Sequence, residues 1–324
     1  MKIQKAVITA AARNERLYPA ATTVQKSMLP VIDIDGINKP IIQIIAEEAL
    51  QSGIEEICIV CADGDEERYL ESFQTLYKTS LKIYQQSTWA ASQAQSIKNI
   101  LDRLTFVVQP EPMGYGHAVY QAKNFVQNDP FLLLHGDYIS ISSLSKKRCS
   151  KQIIDLAVEE ECSVCAVNPT IEHQISKYGT LTGRNYKAYK SVYRIEKIIE
   201  KPSISRAELE LKTAGLRAGY YLCFFGMYVF QPILFDLLAE EIQANSGHES
   251  SGHANSGMNI MFTPVQQKLA LNEKYLALEI QGRRYDTSKM YGLLQAQIAL
   301  GLAGQMRDEV MTSLLQTLAD YRKD

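Results

Sequence analysis

Apolar residues fall along this chain in two kinds of pattern. Short, mostly apolar runs at residues 3–11, 56–62, 105–108, 131–134 and 162–167 read as strands buried on both faces. Between them lie stretches with helical spacing at 39–52, 65–77, 116–126 and 151–160. The first is well delimited: Ile41, Ile44, Ile45 and Ala49 repeat at one-turn intervals, Pro40 opens it and Gly53 closes it. Strands alternating with helices predict an α/β fold with a doubly wound, mostly parallel sheet. In such folds ligands sit at the carboxyl ends of the strands.

The second half changes character. Runs at 178–182, 192–199 and 220–230 are strand-like, with fewer helices between them. They predict a smaller mixed sheet covering the first. The expected organisation is one unit over 1–290, in halves of about 1–150 and 151–290, followed by helices over 291–324. Two amphipathic stretches near the end (Leu293, Leu294, Ile298; then Val310, Met311, Leu314, Leu315, Leu318) suit a core or an oligomer contact. Residues 243–257 are low-complexity and polar and predict a flexible loop, with His248 and His253 as solvated side chains.

Composition narrows the function. With 324 residues, 46% of them hydrophobic and 22% charged, the chain can build a full globular core. A formal net charge of -2 predicts no strong single-sign field, which disfavours nucleic acid and anionic membrane surfaces as partners. The start carries too short an apolar run for a signal peptide, and no run of ~18 apolar residues exists to span a bilayer, so a cytoplasmic enzyme is expected. Two C-x-x-C pairs, Cys58 with Cys61 and Cys162 with Cys165, have a spacing found in zinc and redox sites. Both pairs lie in predicted strands, where residues three apart point to opposite faces, so reduced core thiols are expected.

The chemistry concentrates after the strands. Ala10-Ala-Ala-Arg-Asn-Glu-Arg-Leu-Tyr-Pro-Ala follows the first, and Gln25-Lys-Ser-Met-Leu-Pro comes soon after. Further on stand Gln109, Met113-Gly-Tyr-Gly-His-Ala, Leu134-His-Gly-Asp, Tyr178-Gly, Glu200-Lys-Pro, Phe225-Gly and Arg284-Tyr-Asp. In this order and spacing the chain resembles the UTP–glucose-1-phosphate uridylyltransferases and their sugar-nucleotidyltransferase relatives. Their corresponding motifs are A-A-G-x-G-T-R-x-x-P, P-K-E-M-L-P, Q…K-G-L-G-H-A, L-P-D, Y-G, E-K-P, V-G and a late histidine- or tyrosine-aspartate. The resemblance covers about residues 3 to 300. It implies a nucleotide-binding half near 1–150, a sugar-binding half near 151–290, and a homodimer or homotetramer.

The reaction implied is UTP plus a hexose 1-phosphate giving a UDP-sugar and pyrophosphate. Such chemistry needs two anions held in line and their charge neutralised, with little covalent work from the protein. By the resemblance, Asp137 and Asp286 hold Mg²⁺, a hard cation that takes carboxylate oxygens. Arg16 and Lys26 grip the departing phosphates. Ala11, Ala12, Gln109 and the backbone at Gly114 hold the nucleotide. Lys201 contacts the sugar phosphate and Glu200 the sugar hydroxyls, while Gly179 and Gly226 let backbone approach the sugar. Ordinary alternatives stand beside these roles: a helix cap for a strand-end Asp, surface solvation for Arg16 and Lys26, plain turns for the glycines. His117 is expected to pack in its helix without a proton-transfer role.

Departures from the motif matter too. Ala12 and Asn14 stand where the family has glycines whose backbone N–H groups cradle phosphate. Glu15 replaces a threonine. At ~5 Å and an effective dielectric near 20 its repulsion would be on the order of 3 kcal/mol per phosphate charge, unless Arg13 or the metal offsets it. Thr22, Ser27, Ser288, Tyr221 and the segment 259–264 also depart from the family's residues. Two functions therefore remain: the uridylyltransferase, and a non-catalytic sugar-nucleotide-binding or regulatory homologue with a lost phosphate cradle. A dinucleotide-dependent dehydrogenase is disfavoured, because no G-x-G-x-x-G follows the first strand.

Overall fold

The computed structural model describes residues 1–12, 23–83, 87–187, 189–246 and 259–321. Its strands are β1 (Lys5–Thr9), β2 (Pro30–Ile32), β3 (Asn38–Pro40), β4 (Glu56–Ala62), β5 (Leu104–Gln109), β6 (Phe131–His135) and β7 (Tyr138–Ser142). There follow β8 (Ser163–Ile171), β9 (Gly179–Asn185), β10 (Val192–Glu200), β11 (Tyr220–Phe230), β12 (Tyr275–Glu279) and β13 (Gly282–Asp286).

One sheet organises the molecule, in the order β5-β4-β1-β6-β11-β8-β12-β10-β9. The four strands from β5 to β6 run parallel, as the alternation of strands and helices predicts. Beyond β6 the sheet is mixed. β11 enters antiparallel to both β6 and β8, β12 is parallel to β8, and β10 and β9 are antiparallel again. β9 also pairs with β11, closing that end of the sheet on itself. The α/β class is as expected, but the description of a mostly parallel sheet covered by a separate mixed one is corrected: both halves share one continuous mixed sheet. The physical reason is that β11, buried along nearly its whole length, carries no periodicity that tells its direction.

Alternation along the strands sorts side chains into two cores. In β1, Ala6 and Ile8 join one cluster and Val7 the other. The first cluster is covered by helices Ile41–Leu50, Glu66–Ile83, Thr88–Leu101 and Cys149–Glu160; the second by Tyr115–Gln121, Leu234–Ser246 and Phe262–Asn272. The cysteine pairs split as strand geometry requires. Cys61 and Cys162 lie in the first core, Cys58 and Cys165 in the second, and all are buried free thiols. Burial pushes Cys58 and Cys61 up to about 12, where thiolate chemistry at neutral pH is negligible.

Helix Ile41–Leu50 buries charge as well as isoleucines. Lys39 Nζ lies 2.7 Å from Asp33, 2.7 Å from Asp35 and 3.0 Å from Glu47, so a nearly inaccessible lysine is neutralised on three sides. At the end of the chain two helices form, Gly292–Ala303 and Arg307–Asp320, and no residue of the second is buried. Among the described residues no helix is long and apolar enough to cross a membrane. His248 and His253 of the polar 243–257 stretch lie outside the described residues.

Candidate functional site

A cleft of about 860 Å³ opens beside the carboxyl ends of β6 and β10. Its carboxylates are placed by a two-stranded ribbon that stands apart from the main sheet. β7 pairs antiparallel with β13, setting Asp286 opposite Tyr138. One residue further, the Thr287 backbone N–H (3.0 Å) and hydroxyl (2.8 Å) both donate to the Asp137 carbonyl oxygen. Asp137 and Asp286, 149 positions apart in the sequence, thus become neighbours across one ribbon, and both line the cleft. Gly136 makes the entry possible. Its N–H donates to Thr9 O, and a Cβ there would sit 2.7 Å from that oxygen.

Each carboxylate has a lysine beside it. Lys26 Nζ, from the short turn Lys26–Met28, lies 2.5 Å from Asp137 Oδ2. Lys289 Nζ lies 3.2 Å from Asp286 Oδ2. Burial works to raise the Asp286 carboxyl, but hydrogen bonds from the Ser288 hydroxyl and N–H and the charge of the nearby Lys289 ammonium outweigh it, leaving its pKa below the ordinary aspartate value. A third pair closes the far wall. Glu200, at the end of β10, accepts from the Thr263 hydroxyl (2.7 Å) and faces Lys201 Nζ at 3.6 Å. Lys201 itself sits at φ +44°, a left-handed conformation that a lysine holds only under local constraint.

Two glycines make room. Gly179 is in register with Glu200, and a Cβ there would meet the Phe224 ring at 2.8 Å and Glu200 Oε2 at 3.0 Å. Gly226 has φ +89° at the β11 irregularity where the pairing with β8 slips between Phe224 and Tyr228. The floor beneath them is aromatic: Tyr115 stacks on His135 (centroids 4.6 Å apart) and His135 on Tyr138 (4.9 Å). Burial holds the His135 imidazole below its ordinary pKa, with the neighbouring Asp137 opposing that shift.

The residues expected to hold the nucleotide are not among those that line this cleft. Gln109 ends β5, and its amide donates to Gly114 O (3.2 Å) and meets His117 Nδ1 at 3.1 Å. Gly114 packs against the Asn259 side-chain oxygen and the Ile260 backbone, which leaves no space for a side chain at its φ of +92°. Among the described residues, neither Gln109 nor Gly114 lines the cleft. His117 is buried in helix Tyr115–Gln121 and bonds Gln109 and Gln121; burial lowers its pKa. Ala11 is half-buried and Ala12 exposed after β1. Arg13, Asn14, Glu15, Arg16 and Thr22 lie outside the described residues. Ser27 bonds the Tyr69 hydroxyl in the core, and Tyr221 points into a small apolar cluster with Ile175 and Leu211.

Several cleft residues were missed in the sequence: Lys289, Thr263, His135 and Tyr115. Lys289 follows Asp286 by only three positions, and that proximity was the one available signal. Among the described residues no group of three or more His, Cys, Asp or Glu side chains converges as a metal cage.

Residues 5–273 match the family described as Nucleotidyl transferase. The UTP–glucose-1-phosphate uridylyltransferase 2 of Streptococcus pyogenes is 30% identical over 320 residues, 97% of this chain and 96% of its own length. A UTP–glucose-1-phosphate uridylyltransferase 1 from the same species is 30% identical over 305 residues, covering 93% and 90%. A UDP-glucose pyrophosphorylase crystallised with UDP-glucose shares the fold at a TM-score of 0.71 and 27% identity, covering 92% of this chain and 98% of that one. The UTP-bound enzyme from Acinetobacter baumannii has the same fold, with a TM-score of 0.72 at 22% identity over 97% and 99%.

Proposed function

The chain belongs to the nucleotidyl transferase family, and we propose that within it this protein joins UTP to a hexose 1-phosphate, releasing a UDP-sugar and pyrophosphate. The observation that carries this reading is the β7–β13 ribbon, which sets Asp137 and Asp286 side by side at one cleft with Lys26, Glu200 and Lys201 around them.

In the proposed reaction a phosphate oxygen of the sugar 1-phosphate attacks the α-phosphorus. That P–O bond forms as the bond to the β-phosphate breaks, and pyrophosphate leaves. Lys26 and Arg16 neutralise the departing phosphates; Lys201 holds the incoming one. Glu200, kept in place by Thr263, accepts hydrogen bonds from sugar hydroxyls. Gly179 and Gly226 line the cleft and would present bare backbone to the sugar. Ala11, Ala12, Gln109 and Gly114 form the nucleotide side, after β1 and β5.

The carboxylates suit Mg²⁺. Two adjacent aspartates, with no third His, Cys, Asp or Glu joining them among the described residues, match a small hard cation that completes its shell with water and substrate phosphate oxygens. Held by Asp137 and Asp286, it would supply positive charge where two phosphates must approach each other. The exposed apolar face of Arg307–Asp320, with Leu315 and Leu318 more than half exposed, supports a homodimer or homotetramer contact there.

Pyrophosphate release from UTP and glucose 1-phosphate with Mg²⁺ tests the proposal. Ala12, Asn14 and Glu15 favour the binding-only alternative. A protein that releases no pyrophosphate from any nucleotide and sugar phosphate pair, yet melts higher with UDP-glucose, would be that homologue.

A further inference from the structure

Lys289 is the cation in this cleft whose position is least explained by its neighbours. Its ammonium lies 3.8 Å from the centre of the Tyr178 ring and 3.2 Å from Asp286 Oδ2. Yet Nζ is buried and makes no well-aligned hydrogen bond. An ammonium carries three donors, and one ion pair and a ring face leave most of them unused in a place removed from water, which is costly. Asp286 offers it Oδ2 alone, because Ser288 takes Oδ1 through both its N–H and its hydroxyl. Arg284 lies over the same Tyr178 ring at 4.1 Å, with its own Nε buried and without a hydrogen bond.

Two cations with unused donors therefore share one aromatic ring, next to the wall formed by Gly179, Glu200 and Lys201. Lys289 lines the cleft beside these residues; Arg284 lies behind. Counting these side chains, three are positive (Lys201, Arg284, Lys289) and two negative (Glu200, Asp286). An anion is what this corner lacks.

We propose that Lys289 is a second phosphate-binding lysine, which leaves Asp286 and donates to the phosphate of the sugar 1-phosphate alongside Lys201. This rests on the reaction proposed above. The Tyr178 ring face holds the ammonium close to the cleft. Arg284 adds positive potential from behind without needing contact with substrate.

The test compares the whole protein with Lys289→Met, which keeps an unbranched side chain of similar length and removes the charge. Glucose 1-phosphate and, separately, UTP are titrated calorimetrically with Mg²⁺ present, so that neither titration can turn over. Glucose 1-phosphate should bind on the order of 10-fold more weakly to Lys289→Met, with UTP affinity changed less than about 2-fold. Lys289→Arg should recover most of the loss. Equal glucose 1-phosphate affinity in wild type and Lys289→Met overturns the proposal. So does an equal loss for both ligands, and so does a wild type that binds no glucose 1-phosphate. Because the titrations need no turnover, they separate this proposal from the reaction itself: absent pyrophosphate release with a selective binding loss defeats the reaction and keeps the lysine.

Discussion

Replacing Gly226 by alanine tests how the fold shapes the cleft. The residue sits at φ +89°, where an L side chain costs about 1–2 kcal/mol. The added methyl would lie 2.5 Å from Tyr138 Cδ2, 2.9 Å from Cε2 and 3.1 Å from His135 Cδ2. Neither ring has an easy retreat, because His135 is stacked between Tyr138 and Tyr115. Overpacking of this kind costs about 1–3 kcal/mol, so the total destabilisation should be about 2–5 kcal/mol. It should appear as a lower urea midpoint at unchanged slope. Tyr138 is the register partner of Asp286 and the chain neighbour of Asp137, so displacing it moves both carboxylates. A shift near 1 Å at such positions can cost on the order of 100-fold in turnover. The control is Gly53→Ala, at φ +98° with nothing within 4 Å and at the amino end of β4, away from the cleft. It should cost about 1 kcal/mol and leave activity intact. If Gly226→Ala matches Gly53→Ala in both stability and turnover, the steric account of this bulge is wrong.

Asp137→Asn and Asp286→Asn should each lower pyrophosphate release by about 1,000-fold while circular dichroism stays native; activity within tenfold of wild type would remove the metal role. Burial raises Cys58 and Cys61 to about 12 and Cys162 to about 11, so Ellman's reagent should label the native protein only as fast as it opens, and all six thiols after denaturation. Rapid native labelling of either C-x-x-C pair would contradict their place in the cores. Glu48 is buried, and burial raises its pKa despite a Ser150 N–H bond to Oε1 and the nearby Arg148 guanidinium. A raised folded-state value means that its stabilising contribution is present below the ordinary value of 4.5 and is lost as pH rises through the elevated one. Glu48→Gln should therefore lose less stability than wild type as pH rises above 4.5, seen as urea midpoints that converge or cross; parallel curves would refute the sign.

The buried strands were readable because their signal is local. β1, β4 and β6 are apolar runs bounded by turns, and helix Ile41–Leu50 carries its stripe and both boundary residues in plain view. Helix Thr88–Leu101 escaped notice because its buried face is built from Ala90, Gln93 and Ala94 as well as Ile97 and Ile100, which gives weak contrast with its polar side. Strand direction was readable in the parallel first half but not beyond β6. A run buried on both faces, such as β11, looks the same whichever way it enters a sheet, so the mixed topology had to come from the long-range pairing.

The ribbon that positions the candidate site was hidden for a related reason. β7 reads Tyr-Ile-Ser-Ile-Ser and β13 reads Gly-Arg-Arg-Tyr-Asp, and only Ile139 among them is fully buried, so neither shows a core strand's pattern. Motif resemblance could name Asp137 and Asp286; it could not say what would hold them together. The structure adds that Asp137, Asp286 and Glu200 each stand beside a lysine, so these six groups sum to zero charge. Beyond these pairs, Lys177 on the cleft wall and Arg284 behind it leave an excess of positive charge, which suits an anionic substrate. On the proposed reading, freeing a lysine for phosphate leaves a carboxylate in need of a cation, and the reverse holds equally. Anion and cation binding should then favour each other by the same factor in either order, since the coupling is reciprocal. Lys26 and Lys289 would be the residues through which that coupling passes, because each belongs at once to a carboxylate and to the phosphate that displaces it.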